Sequence, residues 1–514
     1  MKWNSIRSLP VLAIACIVAL CSTAGAVQKT EQWGVHEIVL PGPATGNPYL
    51  DVTLSAEFKQ GGRKLKVPGF YDGDGVYRIR FSPDRLGTWE FVTQCNAAEL
   101  NGRSGSFECI KATRNNHGPI RVVNTFYLEY ADGDPYYCVG TTAYQWTSVK
   151  QSIQEQTVRT LAGSPFNKIR MCVFPKSYQY GNDTEPWQYA FASSIDVTRP
   201  NYAFFQNFDK RVQQLMNLGI QADVILFHPY DRWGYLTMGK ENNARYVRYM
   251  IARISAYRNV WWSLANEWDI PKIKDEIDWE EIGTILQKED PHDRLRGIHN
   301  WHGSEDHFYD HSRPWITHVS TQTSQFNNAI KWRNQYQKPL LFDEMRYEGD
   351  VASSWGNMPS EDMASYFWMA GLSGGYGTHG DTFKNNSDCD TEVRWWAKGG
   401  LLVGRSPIRI AFFKHFMETL PIKEMTPSLV ANGDPNELRN NVYTLSKEGE
   451  VYVSYVRNES TEINLNLTGK NPYEFTVIDT WNMKLLPKGE VQPGPFKYTT
   501  QNRYEAVYLR LKKR

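Results

Sequence analysis

The sequence predicts an α/β protein, a (β/α)8 TIM barrel flanked by N-terminal and C-terminal antiparallel β-sandwich domains. Three observations lead there. Residues 121–418 alternate short apolar runs with segments of helical period, the pattern of repeated strand–helix units. Eight such runs occur, the strand number of a closed barrel, in a stretch of fitting length. The stretches on either side, 27–120 and 419–514, instead alternate apolar with polar residues and are broken by turn clusters.

Taken in order, the chain opens on Lys2 and Arg7, an apolar run from Leu9 to Leu20, and the small residues Ala24-Gly25-Ala26. That is the layout of a cleavable signal peptide over 1–26, and its run is short for a bilayer span. A secreted or periplasmic protein is expected. Lipid anchoring at the outer surface is the weaker alternative, because Leu20 is a poor neighbour for a lipidated Cys21 and Cys16 cuts the apolar run. In 27–120, Val76-Tyr77-Arg78-Ile79-Arg80-Phe81 and Thr88-Trp89-Glu90-Phe91-Val92 read as strands. The turn Asp72-Gly73-Asp74-Gly75 resembles the start of a calcium loop, but its twelfth position is Pro83 and not an acid, so a hairpin is expected. This region ends near Asn116-His117-Gly118-Pro119.

The barrel strands are expected at Tyr137–Thr141, Lys168–Val173, Ala222–Phe227, Val260–Ala265, Leu295–His299, Ile316–Ser320, Pro339–Phe342 and Ala370–Tyr376. Phe208, Val212, Leu215 and Met216 keep helical spacing before the third strand, with Gly219 as a stop. Val247, Met250, Ile251 and Ile254 do so before the fourth, and Asp278 with Glu281 forms a capping box after it. From about 420 the runs Val451–Val456, Ile463–Leu467, Glu474–Ile478 and Tyr504–Leu511 return to strand character. With no repeat and no low-complexity linker, the three domains are expected to pack together.

Composition narrows the partners. A net charge of +1 gives no excess of cations for phosphate neutralisation, so nucleic acid is not expected as a partner. No transmembrane segment is read, and nothing sets the oligomeric state. Aromatic residues reach 14%, with 18 Trp and 29 Tyr, and flat rings suit the C–H faces of sugars. Beyond residue 26 the cysteines are Cys95, Cys109, Cys138, Cys172 and Cys389. Cys95 and Cys109, flanking a hairpin, are the one pair proposed for a disulfide, and the odd count leaves a thiol over.

Barrel active sites lie at the C-terminal strand ends. The fourth run ends in Asn266-Glu267-Trp268-Asp269 and the seventh in Asp343-Glu344-Met345-Arg346-Tyr347. Two carboxyl groups across a cleft are what glycoside hydrolysis needs, one to protonate the departing oxygen and one to attack the anomeric carbon. Other strand ends offer rings beside polar groups, the composition of sugar subsites: His228, Tyr230 and Asp231 after the third, Asn300, Trp301 and His302 after the fifth, Tyr144 and Trp146 after the first. Asp231 is the rival acid. His299, His302, His307 and His311 lack the compact spacing of a zincin helix, and the chemistry requires neither metal nor cofactor.

The pair Asn266-Glu267 with Glu344 resembles the signature of the clan A glycoside hydrolases. The segments Ser82-Pro83-Asp84-Arg85-Leu86-Gly87-Thr88-Trp89 and Gly377-Thr378-His379-Gly380-Asp381-Thr382-Phe383 are similar to an apiosidase-like, cellulase-related group of secreted bacterial polysaccharide-utilisation enzymes. The resemblance implies that Glu267 is acid/base, Glu344 nucleophile in a retaining reaction, Asn266 the partner of the sugar 2-hydroxyl, and Arg170 the cation that keeps Glu344 ionised. The sequence departs from the clan at the sixth strand, where His318, Ser320, Thr321 and Gln322 stand in place of an aromatic hydroxyl. At the eighth, Tyr376 and His379 are the nearest substitutes for the clan's Trp. The competing reading is an idle glycan-binding protein, which would need no intact carboxylate pair. A protease is disfavoured by the absence of a Ser-His-Asp order or an HExxH run.

Overall fold

A computed structural model of the protein describes residues 28–177, 186–192, 196–385, 393–431 and 441–512. The expected signal peptide and Cys389 lie outside the described residues. At the centre is an eight-stranded parallel barrel: β1 (Val139–Thr142), β2 (Lys168–Cys172), β3 (Gln221–Phe227), β4 (Val260–Ala265), β5 (Arg296–Gly297), β6 (Val319–Gln322), β7 (Leu340–Glu344) and β8 (Tyr376–His379). They pair in the order β5-β4-β3-β2-β1-β8-β7-β6, and a parallel bridge between His299 and Ser320 joins the two ends.

The helices α1 (Gln151–Ala162), α2 (Tyr202–Asn217), α3 (Lys240–Ile254), α4 (Trp279–Glu289), α5 (Ala329–Tyr336), α6 (Ser360–Leu372) and α7 (Ser406–Glu418) surround it. The spacing of their apolar residues explains them. α2 buries Phe204, Phe208, Val212 and Leu215 along one stripe, is capped by Asn201, and stops before Gly219 at φ +73°. α4 starts at the expected cap, where the Asp278 carboxylate accepts from the Glu281 amide at 3.0 Å. Between β5 and β6 the only helical piece is a 3-10 turn, Glu305–His307, so this crossover departs from the ideal repeat.

Two expectations need correction. Residues 370–372, assigned to the eighth strand, are the last turn of α6, and β8 begins at Tyr376. From Met363 to Leu372 every residue of α6 is buried, so that stretch shows no polar face and no period to separate helix from buried strand. The second concerns Cys95 and Cys109, which are both free. In the hairpin of Gly87–Cys95 with Ser104–Ile110, Cys109 lies opposite Gly87, while Cys95 stands at the far end of that strand. A strand's length separates thiols that must approach within a few ångström.

The N-terminal region is a seven-stranded sheet. Its long strand Arg63–Tyr71 pairs with Leu54–Gln60 over its first part and with Val76–Phe81 over its last, and it turns between them at Pro68-Gly69. The sheet thereby curls until His36 stacks on Phe107, with ring centroids 3.8 Å apart, although their strands are not neighbours. Phe58, Trp89 and Phe107 fill the space enclosed. A buried ionic cluster fastens this sheet to the barrel helices. Asp209 on α2 takes Arg80 at 2.7 Å and Arg253 of α3 at 2.6 Å, and Arg253 also reaches Asp72 at 2.8 Å. The residues read as a tempting calcium loop are thus part of an arginine clamp. The C-terminal region forms a six-stranded sheet and a separate two-stranded pair. Tyr443, Leu445, Val453 and Tyr455 share one apolar cluster with Met363, Phe367 and Trp368 of α6 and Phe413 of α7.

Candidate active site

The C-terminal strand ends surround a cleft of about 1090 Å³. Both Glu267 and Glu344 line it, with Tyr144, Lys176, Tyr230, Asp231, Trp301, His302, Tyr347, Trp355 and Trp396. β4 stops at Ala265, and the Asn266 amide adds one more parallel contact by donating to the Phe227 carbonyl at 3.0 Å. Glu267 then adopts φ +59°, a left-handed conformation costing on the order of 1–3 kcal/mol outside glycine. The surroundings hold it there against solvent, and Glu267 is only 5% exposed.

Glu344 reaches the cleft by a different device. The pairing of β6 with β7 slips between Thr321 and Gln322, so that Thr321 faces Phe342 but Gln322 faces Glu344. This bulge lets two successive acids turn toward the barrel axis. Asp343 points into the barrel interior, 2.5 Å from Lys168 and 2.6 Å from the Ser320 hydroxyl. Glu344 sits above it among the cleft residues.

Donors converge on Glu344. The Tyr144 hydroxyl donates to its Oε1, the Arg170 guanidinium lies 3.4 Å away and His299 Nε2 also 3.4 Å. The Tyr347 hydroxyl, 3.3 Å from that of Tyr144, bonds the same carboxylate. Burial alone would push the Glu344 carboxyl up. The hydrogen bond from His299, with the Arg170 and Lys176 charges, overcomes this and brings it down to about 2. His299 is itself lowered, first by burial and then by Arg170.

Glu267 moves the other way. Burial, then the Glu344 charge, raise it to about 7, against the opposing pull of Lys176, a Tyr230 hydrogen bond and Arg170. Its Oε2, and Nδ2 of the fully buried Asn266, have no hydrogen-bond partner among the described residues. Arg170 Nη2 fixes that amide by donating to Asn266 Oδ1 at 3.2 Å. One carboxyl stays protonated while its neighbour is ionised, which divides the pair into a proton donor and an anionic nucleophile.

The remaining sequence candidates divide. Tyr230, Trp301 and His302 line the cleft, and Trp301 is 45% exposed at its lip. The Asp269 carboxylate holds that lip by accepting the Trp301 amide at 2.5 Å and the His302 amide at 3.2 Å. Asp231 also lines the cleft, but its two oxygens accept the Trp233 and Leu236 amides at 2.8 and 2.9 Å, so it orders its own loop. Asn300 lies under the lip, bonded to the His302 carbonyl and the Gln322 amide.

Others are not brought to the cleft. His228 is buried with Nε2 3.2 Å from the Phe174 carbonyl. Trp146 is in the apolar core. Tyr376, at the opposite end of the barrel, accepts the Leu128 amide at 3.2 Å. His379 stands behind the site between Glu348 at 2.9 Å and Thr141 at 3.2 Å. Sequence reasoning missed Trp396, Trp355, Tyr347 and Lys176. Tyr347, three residues past Glu344, stood in a segment already quoted. Trp396 reaches the cleft from a short helix, Trp395–Lys398, well beyond β8, where no strand-end rule looks.

Comparisons with known proteins agree with the barrel fold. Residues 123–421 match the family model "Apiosidase-like, catalytic domain", and 29–96 match a domain of unknown function, DUF5060. A protein of Bacteroides vulgatus ATCC 8482, described as a candidate glycoside hydrolase, is 33% identical over 94% of this chain and 100% of its own, with a TM-score of 0.84. A family 5 glycoside hydrolase from the same organism is 14% identical over 77% of this chain and 94% of its own, with a TM-score of 0.60, a likeness of fold. No curated protein matches.

Proposed function

This chain belongs to the apiosidase-like catalytic-domain family, a clan A group of TIM-barrel glycoside hydrolases, and from that premise we propose that it cleaves glycans outside the cytoplasm by a retaining double displacement. The observation that carries the mechanism is the pair of buried carboxyl groups lining one cleft, whose surroundings push Glu267 up and Glu344 down. A Glu344 oxygen attacks the anomeric carbon while the glycosidic C–O bond breaks. The leaving oxygen keeps the bonding pair and takes the Glu267 proton. Water then attacks the anomeric carbon of the glycosyl-enzyme, gives a proton to Glu267 and frees Glu344 as carboxylate. Atoms and charges return to their starting state.

Arg170, His299 and Tyr144 stabilise the resting anion, and Asn266 Nδ2 is free to hold a hydroxyl of the sugar. Trp301 at the lip and the Trp355–Trp396 pair, 5.0 Å between centroids, supply faces for stacking. The β regions at each end, read as sandwiches, brace the barrel, and a polysaccharide or oligosaccharide is the substrate class. An idle binder would not maintain a strained, buried Glu267 beside an ionised partner.

Proton NMR of the first-formed sugar tests this. The product should keep the substrate's anomeric configuration, and Glu267→Gln should lose about two to four orders of magnitude on natural glycans. With activated aryl glycosides the Gln variant should retain its first step and be rescued by azide. Product of inverted configuration would remove Glu344 from the role of nucleophile.

A further inference from the structure

Lys176 follows β2 and lines the cleft, yet it is only 4% exposed. Its ammonium sits 3.9 Å from the centroid of the Tyr144 ring and 4.3 Å from that of Tyr230. Those two rings are not arbitrary neighbours. The Tyr144 hydroxyl donates to Glu344, and the Tyr230 hydroxyl bonds Glu267. One cation therefore lies between the two phenols that hold the two carboxyl groups. Attraction between an ammonium and ring faces strengthens when water is excluded, as it is here.

We infer that Lys176 is a positioning residue for the hydrolysis, pinning Tyr144 and Tyr230 in place and setting, through its charge, the pH window in which one carboxyl is protonated and the other is not. The inference rests on the assignment of Glu267 and Glu344 above. The groups facing Lys176 come from several elements: Tyr144 after β1, Cys172 and Arg170 on β2, His228, Tyr230 and Asp231 after β3, Glu267 after β4, and Glu344 with Tyr347 at β7. Most are neutral at neutral pH. Cys172 is held up as a thiol by burial, His228 is lowered to about 4 by burial and Lys176, and the tyrosines are raised. Of the remaining charged groups, Arg170 is a cation and Asp231 is taken up by two amides of its own loop, so the anions that Lys176 acts on in the cleft are the two glutamates, and it favours the anion of each. The main-chain amide of Lys176 donates to Gln145 Oε1 at 3.0 Å, which fixes the base of the side chain.

The test is the pH profile of kcat/KM on an aryl glycoside for wild type, Lys176→Met and Lys176→Arg. Removing the charge should move both limbs to higher pH by about one unit, while arginine should leave them in place. A ten-fold or greater fall in kcat with KM nearly unchanged should accompany the Met substitution. Lys176→Gln serves as a second uncharged variant, with melting temperature and circular dichroism establishing its fold. A folded Met or Gln variant whose limbs do not move overturns the inference, even if its activity is low. Glu344→Gln is measured alongside: if that variant stays active, the carboxyl assignment itself fails, whereas an inactive Glu344→Gln with an unmoved Lys176 profile defeats only the role of Lys176.

Discussion

Glu267 is costly to keep. Its φ of +59° and its burial beside Glu344 both work against the folded state, and the second cost depends on pH. The folded carboxyl is raised from 4.5 to about 7. Below 4.5 the group is protonated whether the chain is folded or not, and nothing is lost. Between those values the unfolded chain ionises first, so stability falls as pH rises, and above about 7 the full penalty applies. Glu267→Gln removes a titrating group of nearly the same shape. Its melting temperature should match wild type near pH 4.5 and exceed it at pH 8, by up to about 3 kcal/mol in stability. Equal stabilisation at both pH values would show that the gain comes from something other than ionisation. The same two groups should give kcat/KM a bell shape. Its basic limb falls near 7 through Glu267, and its acidic limb lies below the ordinary carboxylate range because Glu344 is lowered. An optimum on the mildly acidic side is expected, and an alkaline optimum would contradict the division of roles.

Among the elements, the ionic joint between the N-terminal sheet and helices α2 and α3 offers a clean separation of stability from chemistry. Asp209 is 6% exposed and shared by Arg80 and Arg253, and Arg253 is fully buried. Asp209→Ala removes the carboxylate that the two guanidiniums share, leaving Arg80 with Glu37 and Arg253 with Asp72 beside an unfilled buried site. A loss of about 3–5 kcal/mol is expected, with kcat close to wild type at temperatures where the variant is folded. A large fall in kcat without loss of stability would mean that the joint transmits something to the cleft. This joint was invisible in the sequence, because Arg80, Asp209 and Arg253 lie far apart in the chain and look like ordinary surface charges. Barrel strands were legible for a physical reason: parallel strands buried on both faces read as continuous apolar runs, and β4 was found at its observed bounds. β5 was overextended because only Arg296–Gly297 pair with β4. At β7 strict alternation along a strand would turn Asp343 away from Glu344. The bulge overrides alternation, and Asp343 is silent in the cleft because Lys168 holds it inside the barrel. The supporting hydroxyl missing from the sixth strand is supplied by Tyr144 after the first, a substitution across the barrel mouth that no spacing along the chain encodes.

At the scale of the whole molecule, the C-terminal sheet is joined to the barrel by shared core and by polar contacts. Tyr455 stacks on Trp368 at 5.8 Å and donates to the Ser365 hydroxyl at 2.7 Å. Arg457 pairs with Asp362 at 2.5 Å, and Trp481 lies under Arg409 with 4.1 Å to the ring centroid. Tyr127, ahead of β1, donates to the Met425 carbonyl at 2.6 Å. From Met363 onward α6 is buried on every side because the barrel covers one face and this sheet the other. Removing the sheet would bare Met363, Phe367 and Trp368 to water, each worth about 1.5–3 kcal/mol of lost burial. No such contact reaches Glu267 or Glu344, which lie at the mouth among the strand-end loops. A chain truncated after Leu420 should therefore melt on the order of 10 °C lower and aggregate more readily, while its kcat on an aryl glycoside at low temperature stays within a few fold of wild type. Calorimetry and initial rates on the same preparation decide the matter. If the truncated chain keeps its melting temperature and loses only adsorption to insoluble polysaccharide, the sheet is a binding module. If kcat collapses while the fold persists, the sheet shapes the cleft through α6 and β8. The shared apolar cluster favours neither of these but the lowered melting temperature, the mark of a brace whose loss is felt in stability before it is felt in turnover.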